Sequence, residues 1–399
     1  MTQDADIFIS GGGVAGLTAA ATFGAAGFSV IAADPARPVT EETAEGADLR
    51  TTAFLQPARR LLEAAGIWEH YAPHATPLRV MRIVDAGGAE PVARSSRDFD
   101  SADLGEAPFG WNLPNWLLRR ELLTRIAALD TVDFRPGTGF SAMLARESGG
   151  LVTLTDGSRL RVRLVIGADG RDSPVRQASG IGARTWRYGQ KAITFSVTHP
   201  VPHDNVSTEI HRTGGPFTLV PLPDHDGRPC SAVVWMVPGA EAQRLTALDP
   251  ERFAAEATTR SAGLFGALTL ASRRLSWPII SRLADRMSAR RTALMAEAAH
   301  VVPPIGAQGL NMSLADLGTL LELAQATPDR LGAPVMLDAY HRRRHPEVRL
   351  RVEGVNLLNR TSMAEAGMVR DLRALGIRAL HDVAPVRRGL MRLGLGARA

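Results

Sequence analysis

Ile7-Phe8-Ile9-Ser10-Gly11-Gly12-Gly13-Val14-Ala15-Gly16 decides the reading of this chain. Three consecutive apolar residues suit a strand buried on both faces, and the glycines follow it at once. An alanine-rich stretch with helical character runs on to about residue 26, and residues 28–32 read as a second strand that ends near Asp34. Strand, glycine turn, helix, strand and distal acid together make a βαβ unit that binds a dinucleotide. Gly11 allows the tight turn, Gly13 lets backbone approach a pyrophosphate, and Gly16 lets the helix pack close to the sheet. Val14 and Ala15 open the helix, whose N-terminus carries about half a positive charge toward the phosphates. Asp34 is placed to accept hydrogen bonds from ribose hydroxyls. This motif alone does not separate NAD from FAD.

Outward from that unit, residues 57–65 and 116–128 read as helices by their three- and four-residue apolar spacing. Residues 151–155 alternate, turn at Asp156-Gly157 and return through a strand ending at Ile166. After about residue 183 the texture changes. Residues 192–198, 206–211, 217–222 and 231–237 are short strands between Pro, Gly and Asp turns, which predicts an antiparallel sheet. Helical patterns resume near 250, a short strand at 292–295 precedes a Pro/Gly loop, a helix follows from about Ser313, and residues 334–399 read as helical and arginine-rich. The pattern predicts an α/β fold: a discontinuous dinucleotide domain of residues 1–75, 106–182 and 281–340, an inserted β-sheet substrate domain of residues 76–105 and 183–280, and a C-terminal helical region of residues 341–399.

Two further motifs carry chemistry. Gly167-Ala168-Asp169-Gly170-Arg171-Asp172-Ser173-Pro174-Val175-Arg176 follows a buried strand and opens a helix, so Asp169 supplies a polar contact and Gly170 a turn close to the cofactor. Ala296-Glu297-Ala298-Ala299-His300 leads through Val301, Val302 and Pro303 to Pro304-Ile305-Gly306-Ala307-Gln308-Gly309-Leu310-Asn311. That last loop would offer backbone N–H groups at a helix N-terminus. These three motifs, together with Asp48-Leu49-Arg50-Thr51-Thr52-Ala53, Tyr188-Gly189-Gln190 and the run from Gly215 to Leu222, resemble the single-component flavoprotein aromatic hydroxylases of ubiquinone biosynthesis over roughly residues 5–390.

The resemblance implies a Rossmann-like FAD-binding domain, with Asp169, Gly170, Glu297, Pro304, Gly309, Leu310 and Asn311 around the flavin and Arg50 and Arg119 near it or its phosphates. Glu297 stands where the family has Asp, Ala296 where it has Gly, and Ala307 and Ser313 where relatives often carry Gly. It also implies NAD(P)H as a transient co-substrate, O₂, and a polyprenylated phenol as the hydrophobic aromatic partner whose ring is hydroxylated, with other ubiquinone-biosynthesis proteins as possible associates. Two other readings stay open: a hydroxylase of a soluble aromatic or polyketide, and a non-catalytic FAD-binding scaffold. No catalytic acid or base is named from sequence.

Composition narrows the rest. At 399 residues, 45% hydrophobic and 22% charged, the chain is an ordinary globular one, neither disordered nor a disulfide scaffold. Its one cysteine, Cys230, allows no internal disulfide. Of the 46 basic residues all but Lys191 are arginine, and residues 341–399 carry a net +8 against −3 for residues 1–340. The basic residues are not interleaved with stacking aromatics and no known reader motif appears, so nucleic acid is a weak reading and no such partner is expected. The tail from Ala384 to Ala399 has two readings, a helix docked on the body with its arginines in solvent, or weak contact with an anionic membrane surface or acidic partner. No metal site is expected: His199-x-x-x-His203 is broken by Pro200 and Pro202, and arginines separate His341 from His345. With neither a signal segment nor a membrane-spanning run, the expected location is cytoplasmic, with peripheral contact on the inner membrane face as the tail's second reading.

Overall fold

A computed structural model describes residues 4–87, 92–105, 108–212 and 215–363, together with Gly389 and Met391. Its first layer grows from the opening βαβ unit. Strand β1 (Ala5–Ser10) leads to helix α1 (Val14–Ala25) and strand β2 (Val30–Asp34). Ile7, Phe8 and Ile9 are fully buried, as a strand covered on both faces requires. On one side of β1 lies β2 and beyond it Val132–Pro136; on the other lie Arg159–Gly167 and then Thr292–Leu294, and these five strands run parallel. Ser288–Ala289 closes one edge antiparallel. The strand Arg159–Gly167 also carries, in its first half, the hairpin partner Gly150–Leu154, which pairs in turn with Phe140–Ala145.

The second sheet has nine strands, and their order from one edge is His300–Val301, Leu275–Ala284, Ala183–Thr198, Arg228–Pro238, Gly215–His225, Val206–Arg212, Val80–Asp85 and Ser95–Asp100, with Thr269–Leu270 beside Ala183–Thr198. The antiparallel expectation holds for all of these pairs except one: Val206–Arg212 runs parallel to Val80–Asp85. Its outer face is covered by the helices Gly239–Ala247 and Pro250–Arg260, where Ile193, Phe195, Phe217, Trp235 and Phe253 form a separate core. A third sheet of Thr51–Leu55, Gly110–Pro114 and Thr76–Leu78 lies beside the first two.

The two large layers are joined by the third motif and by a long helix. His300–Val301, inside the third motif, pairs with the second sheet at Leu283 and Arg282. The helix Pro334–Met363 contacts the first layer through Tyr340, whose hydroxyl donates to the Leu294 carbonyl, and through Ser288, which donates to the Leu337 carbonyl. Its later turns meet the second sheet, where Asn356 takes hydrogen bonds from Tyr188 and Ser281, and Asn359 donates to Gln190. Among the described residues no helix is long and apolar enough to cross a membrane. Most of the basic tail lies outside the described residues.

The reading of the tail from Ala384 to Ala399 falls outside the described residues apart from Gly389 and Met391, but the basic region before it, residues 341–363, is not all solvated. Arg344 is 2% exposed rather than solvated. Tyr340, Arg344, Val348 and Val352 form one buried stripe at four-residue spacing, so the helix docks through a face that contains an arginine. Arg343, Arg349 and Arg351 pair with Glu322, Glu353 and Glu347.

Candidate active site

The three motifs meet along one end of the parallel strands. Gly11 has φ of 125°, and a side chain there would strike the Ala168 carbonyl at 2.4 Å; one on Gly16 would strike the Gly11 carbonyl at 2.0 Å. These two glycines are required by close approach of backbone to backbone. A side chain on Gly13 would meet nothing within 4 Å, so this turn presents open space with the helix N-terminus behind it. Val14 and Ala15 pack on the main core. Asp34 braces the turn from the side: its Oδ2 accepts from the Gly12 N–H at 2.6 Å, and its Oδ1 accepts from Ala36 at 2.8 Å.

The second motif is bonded to the first. The Ala168 N–H donates to the Ser10 carbonyl, and the Ser10 hydroxyl donates to Asp169 Oδ2 at 3.2 Å. Asp169 Oδ2 also accepts from the Val175 N–H at 3.1 Å, while Ser173 caps the short helix Pro174–Ala178. Asp169 Oδ1 is buried with no hydrogen-bond partner. Burial lifts this carboxyl above its ordinary range, against the pull of Ser173, Val175 and Ser10. Gly170 turns with φ of 83° into open space beside it.

The third motif closes on the second through backbone and charge. Met295 donates to the Gly167 carbonyl, Arg176 donates to the Ala298 carbonyl at 2.9 Å, and Arg171 pairs with Glu297 at 3.4 Å. Glu297 therefore points at Arg171 and remains 44% exposed. The helix begins at Gln308, not near Ser313 as its pattern suggests, so Gly309, Leu310 and Asn311 form its first turn. Pro304 and Gly309 are exposed on this rim and Leu310 packs on the core. Asn311 ties the rim to the segment after Arg50: its Oδ1 accepts from Leu55, and its Nδ2 donates to Ala53.

Arg50 and Arg119 converge on a residue that sequence reasoning left without a role. Arg50 forms a two-point pair with Asp48 at 2.8 and 2.7 Å, Asn115 adds a bond at 3.1 Å, and Arg119 lies 3.8 Å away. Burial alone would lift the Asp48 carboxyl, but these donors hold it below the usual carboxylate range. Arg50 also stacks on Trp277 of the second sheet at 4.5 Å, which brings the two layers together at this point. Arg119 Nε is buried without a partner.

A buried charge cluster behind the rim was also missed. His300 Nε2 contacts Asp316 Oδ2 at 2.6 Å, and Arg344 donates to Asp316 Oδ1 at 2.8 Å, with these three side chains no more than 2% exposed. Arg344 continues to Glu347, Glu347 to Arg351, and Arg351 to Gln308 at 2.8 Å, whose amide donates to the Gly306 carbonyl. The four-residue spacing of the stripe from Tyr340 to Val352 was the available signal for Arg344. The histidine pairs serve the fold: His341 accepts from the Met287 N–H, His345 contacts the Ala284 carbonyl, and His199 lies between Val201 and Ser231.

These features fit FAD. An open glycine turn, a buried unpartnered carboxylate oxygen on Asp169 and a buried unpartnered guanidinium nitrogen on Arg119 are groups that a phosphate- and hydroxyl-bearing ligand satisfies.

Comparison with known proteins agrees. A family described as an FAD binding domain matches residues 4–354. The ubiquinone hydroxylase UbiL of Rhodospirillum rubrum is 33% identical, over 98% of this chain and 90% of its own. The 3-demethoxyubiquinol 3-hydroxylase of Escherichia coli is 26% identical, over 99% of each chain. Among solved structures, p-nitrophenol 4-monooxygenase PnpA of Pseudomonas putida superposes over the whole of both chains with a TM-score of 0.81 at 18% identity. PqsL of P. aeruginosa, with 2-aminobenzoylacetate, reaches a TM-score of 0.76 at 24% identity over 90% of this chain and 96% of its own. The chain belongs to the FAD binding domain family, as an FAD-dependent hydroxylase of the ubiquinone-biosynthesis type.

Proposed function

We propose that this enzyme hydroxylates the aromatic ring of a polyprenylated phenol on the route to ubiquinone, with O₂ and with NAD(P)H as a transient co-substrate. The observation that carries the reading is the meeting of three FAD motifs on one rim that faces the inner side of a nine-stranded sheet, with Ile305 of the rim packed against that sheet. Gly11, Gly13, Val14, Ala15 and Gly16 would hold the pyrophosphate, Asp34 the adenosine ribose, and Asp169 with Gly170 the inner part of the cofactor. Arg50, Arg119, Glu297, Pro304, Gly309, Leu310 and Asn311 would border the flavin.

FAD, when bound, supplies the electron transfer and oxygen activation that side chains lack. The chain's own work is positional. Arg50, clamped by Asp48 and stacked on Trp277, sets a fixed positive charge where the two layers meet. The turn of helix from Gln308 aims backbone N–H groups at the rim, where negative charge is favoured. The sheet's inner face, with Ala192, Met236 and Ile279, gives an apolar wall against the Ile305 side of the rim and keeps bulk water from the ring.

The test is to delete the gene and identify the accumulated quinone precursor by mass spectrometry, then to supply purified enzyme with that precursor. A precursor lacking one ring hydroxyl, which also stimulates NAD(P)H oxidation by the yellow protein, is the expected result. Stimulation by soluble phenols alone, with normal quinone in the deletion strain, would overturn the substrate; a yellow protein with no substrate-stimulated oxidation would overturn the catalytic reading.

A further inference from the structure

The pleat of the nine-stranded sheet sorts its residues into two faces. Ile193, Phe217, Trp235 and Ile210 belong to the outer core under the helices. Residues one step out of phase face the FAD-binding half: Ala192 and Met236 meet Ile305, and Trp277 lies beneath Arg50. Register carries this inner face across the sheet. Trp277 is opposite Ala192, Ala192 is opposite Met236, and Pro216, one residue before the Phe217–Trp235 pair, stands beside Met236 and opposite His211. Glu209, two residues before His211 and opposite Thr218, shares that face.

Glu209 and His211 touch one another there. His211 Nε2 lies 2.7 Å from Glu209 Oε1, and the two side chains are 13% and 10% exposed. At this distance a hydrogen on Nε2, not its lone pair, must face the carboxylate, although the contact is not aligned as a hydrogen bond, and a ring that carries one hydrogen then has its lone pair on Nδ1. No hydrogen bond to that nitrogen is made among the described residues. At about 4.8 Å per strand, His211 stands about 10 Å along the sheet from Met236, where the rim meets the inner face. That is a span suited to a substituted ring. A carboxylate beside one nitrogen of an imidazole, with the other nitrogen left to accept a proton, is the arrangement of a general base.

We propose that His211, oriented by Glu209, takes the phenolic proton of the substrate. The inference rests on the reading of the substrate as a phenol. The O–H bond breaks, its proton goes to Nδ1 and its electron pair stays on oxygen, which enriches the ring carbons ortho and para to it. The enriched carbon then attacks one oxygen atom derived from O₂: the C–O bond forms as the O–O bond breaks, and the second oxygen leaves as water, with NAD(P)H as the two-electron reductant. Loss of the proton from that carbon restores the aromatic ring, and the imidazolium beside Glu209 returns its proton to the phenolate.

The experiment compares FAD-loaded wild type, Glu209→Gln and His211→Gln on a short-chain prenylphenol and on its ring-fluorinated analogue, whose phenol is more acidic. Flavin absorbance reports that each variant is folded and loaded. With the plain phenol, product formation falls roughly 100-fold in His211→Gln and roughly 10-fold in Glu209→Gln. With the fluorinated phenol, which needs less help to ionise, both deficits shrink several-fold. Equal deficits on the two phenols, or no deficit in either variant, would overturn the assignment. Failure of the wild type itself on both phenols would instead bring down the substrate reading, and the role of this pair with it.

Discussion

Ala296 and Ala307 both hold backbone in the left-handed region, each at φ of 54°. They are the two positions of the third motif at which the resembling family carries, or often carries, glycine. An alanine side chain crowds the carbonyl in this conformation at a cost of about 1 kcal/mol. Ala296 sits where the chain enters the Glu297 turn, and Ala307 is the N-cap of the helix that opens at the rim. The departures therefore change the cost of the turn without removing it. Ala296→Gly and Ala307→Gly are each expected to stabilise the protein by about 1 kcal/mol, read as a raised midpoint of chemical denaturation. A lowered midpoint would show that these turns do not hold glycine geometry.

At the scale of elements, the helix Gln308–Ala326 and the helix Pro334–Met363 are bolted together by Asp316, His300 and Arg344. Burial opposes a charge on Arg344, but Asp316 and Glu347 more than offset that opposition and raise its pKa. Replacing one member strands the others. Arg344→Met is expected to destabilise the fold by about 3 kcal/mol, measured by denaturant unfolding, and a second change, Asp316→Asn, to recover part of that loss. Independent, additive losses would mean the two groups do not act as a pair. This cluster was illegible in sequence because its two contacts span 16 and 28 positions, and charge reads as surface until a fold brings partners together. The opening βαβ unit and the hairpin at Asp156-Gly157 were legible because local pattern alone dictates them. The strands Val80–Asp85 and Ser95–Asp100 were not, since the first fully buries only Val84, the second buries none of its residues, and charged residues interrupt their pattern. For the rim, glycines and Asp169 could be read from spacing, whereas Asp48 and Trp277 owe their places to contacts between distant layers.

Across the whole molecule, one helix spans both large layers. Its first turns lie on the parallel sheet and its later turns place Asn356 between Tyr188 and Ser281 of the second. Asn356→Leu removes the acceptor for those two hydroxyls and is expected to cost about 2 kcal/mol. Amide hydrogen exchange should quicken in residues 350–360 while residues 336–345 stay protected. Uniform quickening along the helix would mean that it docks as one unit rather than through two separate contacts.

The parallel sheet has a consequence for how the protein is made. Strand β1 takes its two neighbours from residues 30–34 and 159–167, and the last parallel strand comes from residues 292–294. A nascent chain thus carries an open strand edge until residues 159–167 have been made, and the rim is incomplete until residue 311 has followed. Such distant pairings close slowly and leave a sticky intermediate exposed. The three motifs come together only after residues 292–311 have been made, so a chain that stops short of them leaves that end of the sheet unfinished and prone to aggregate.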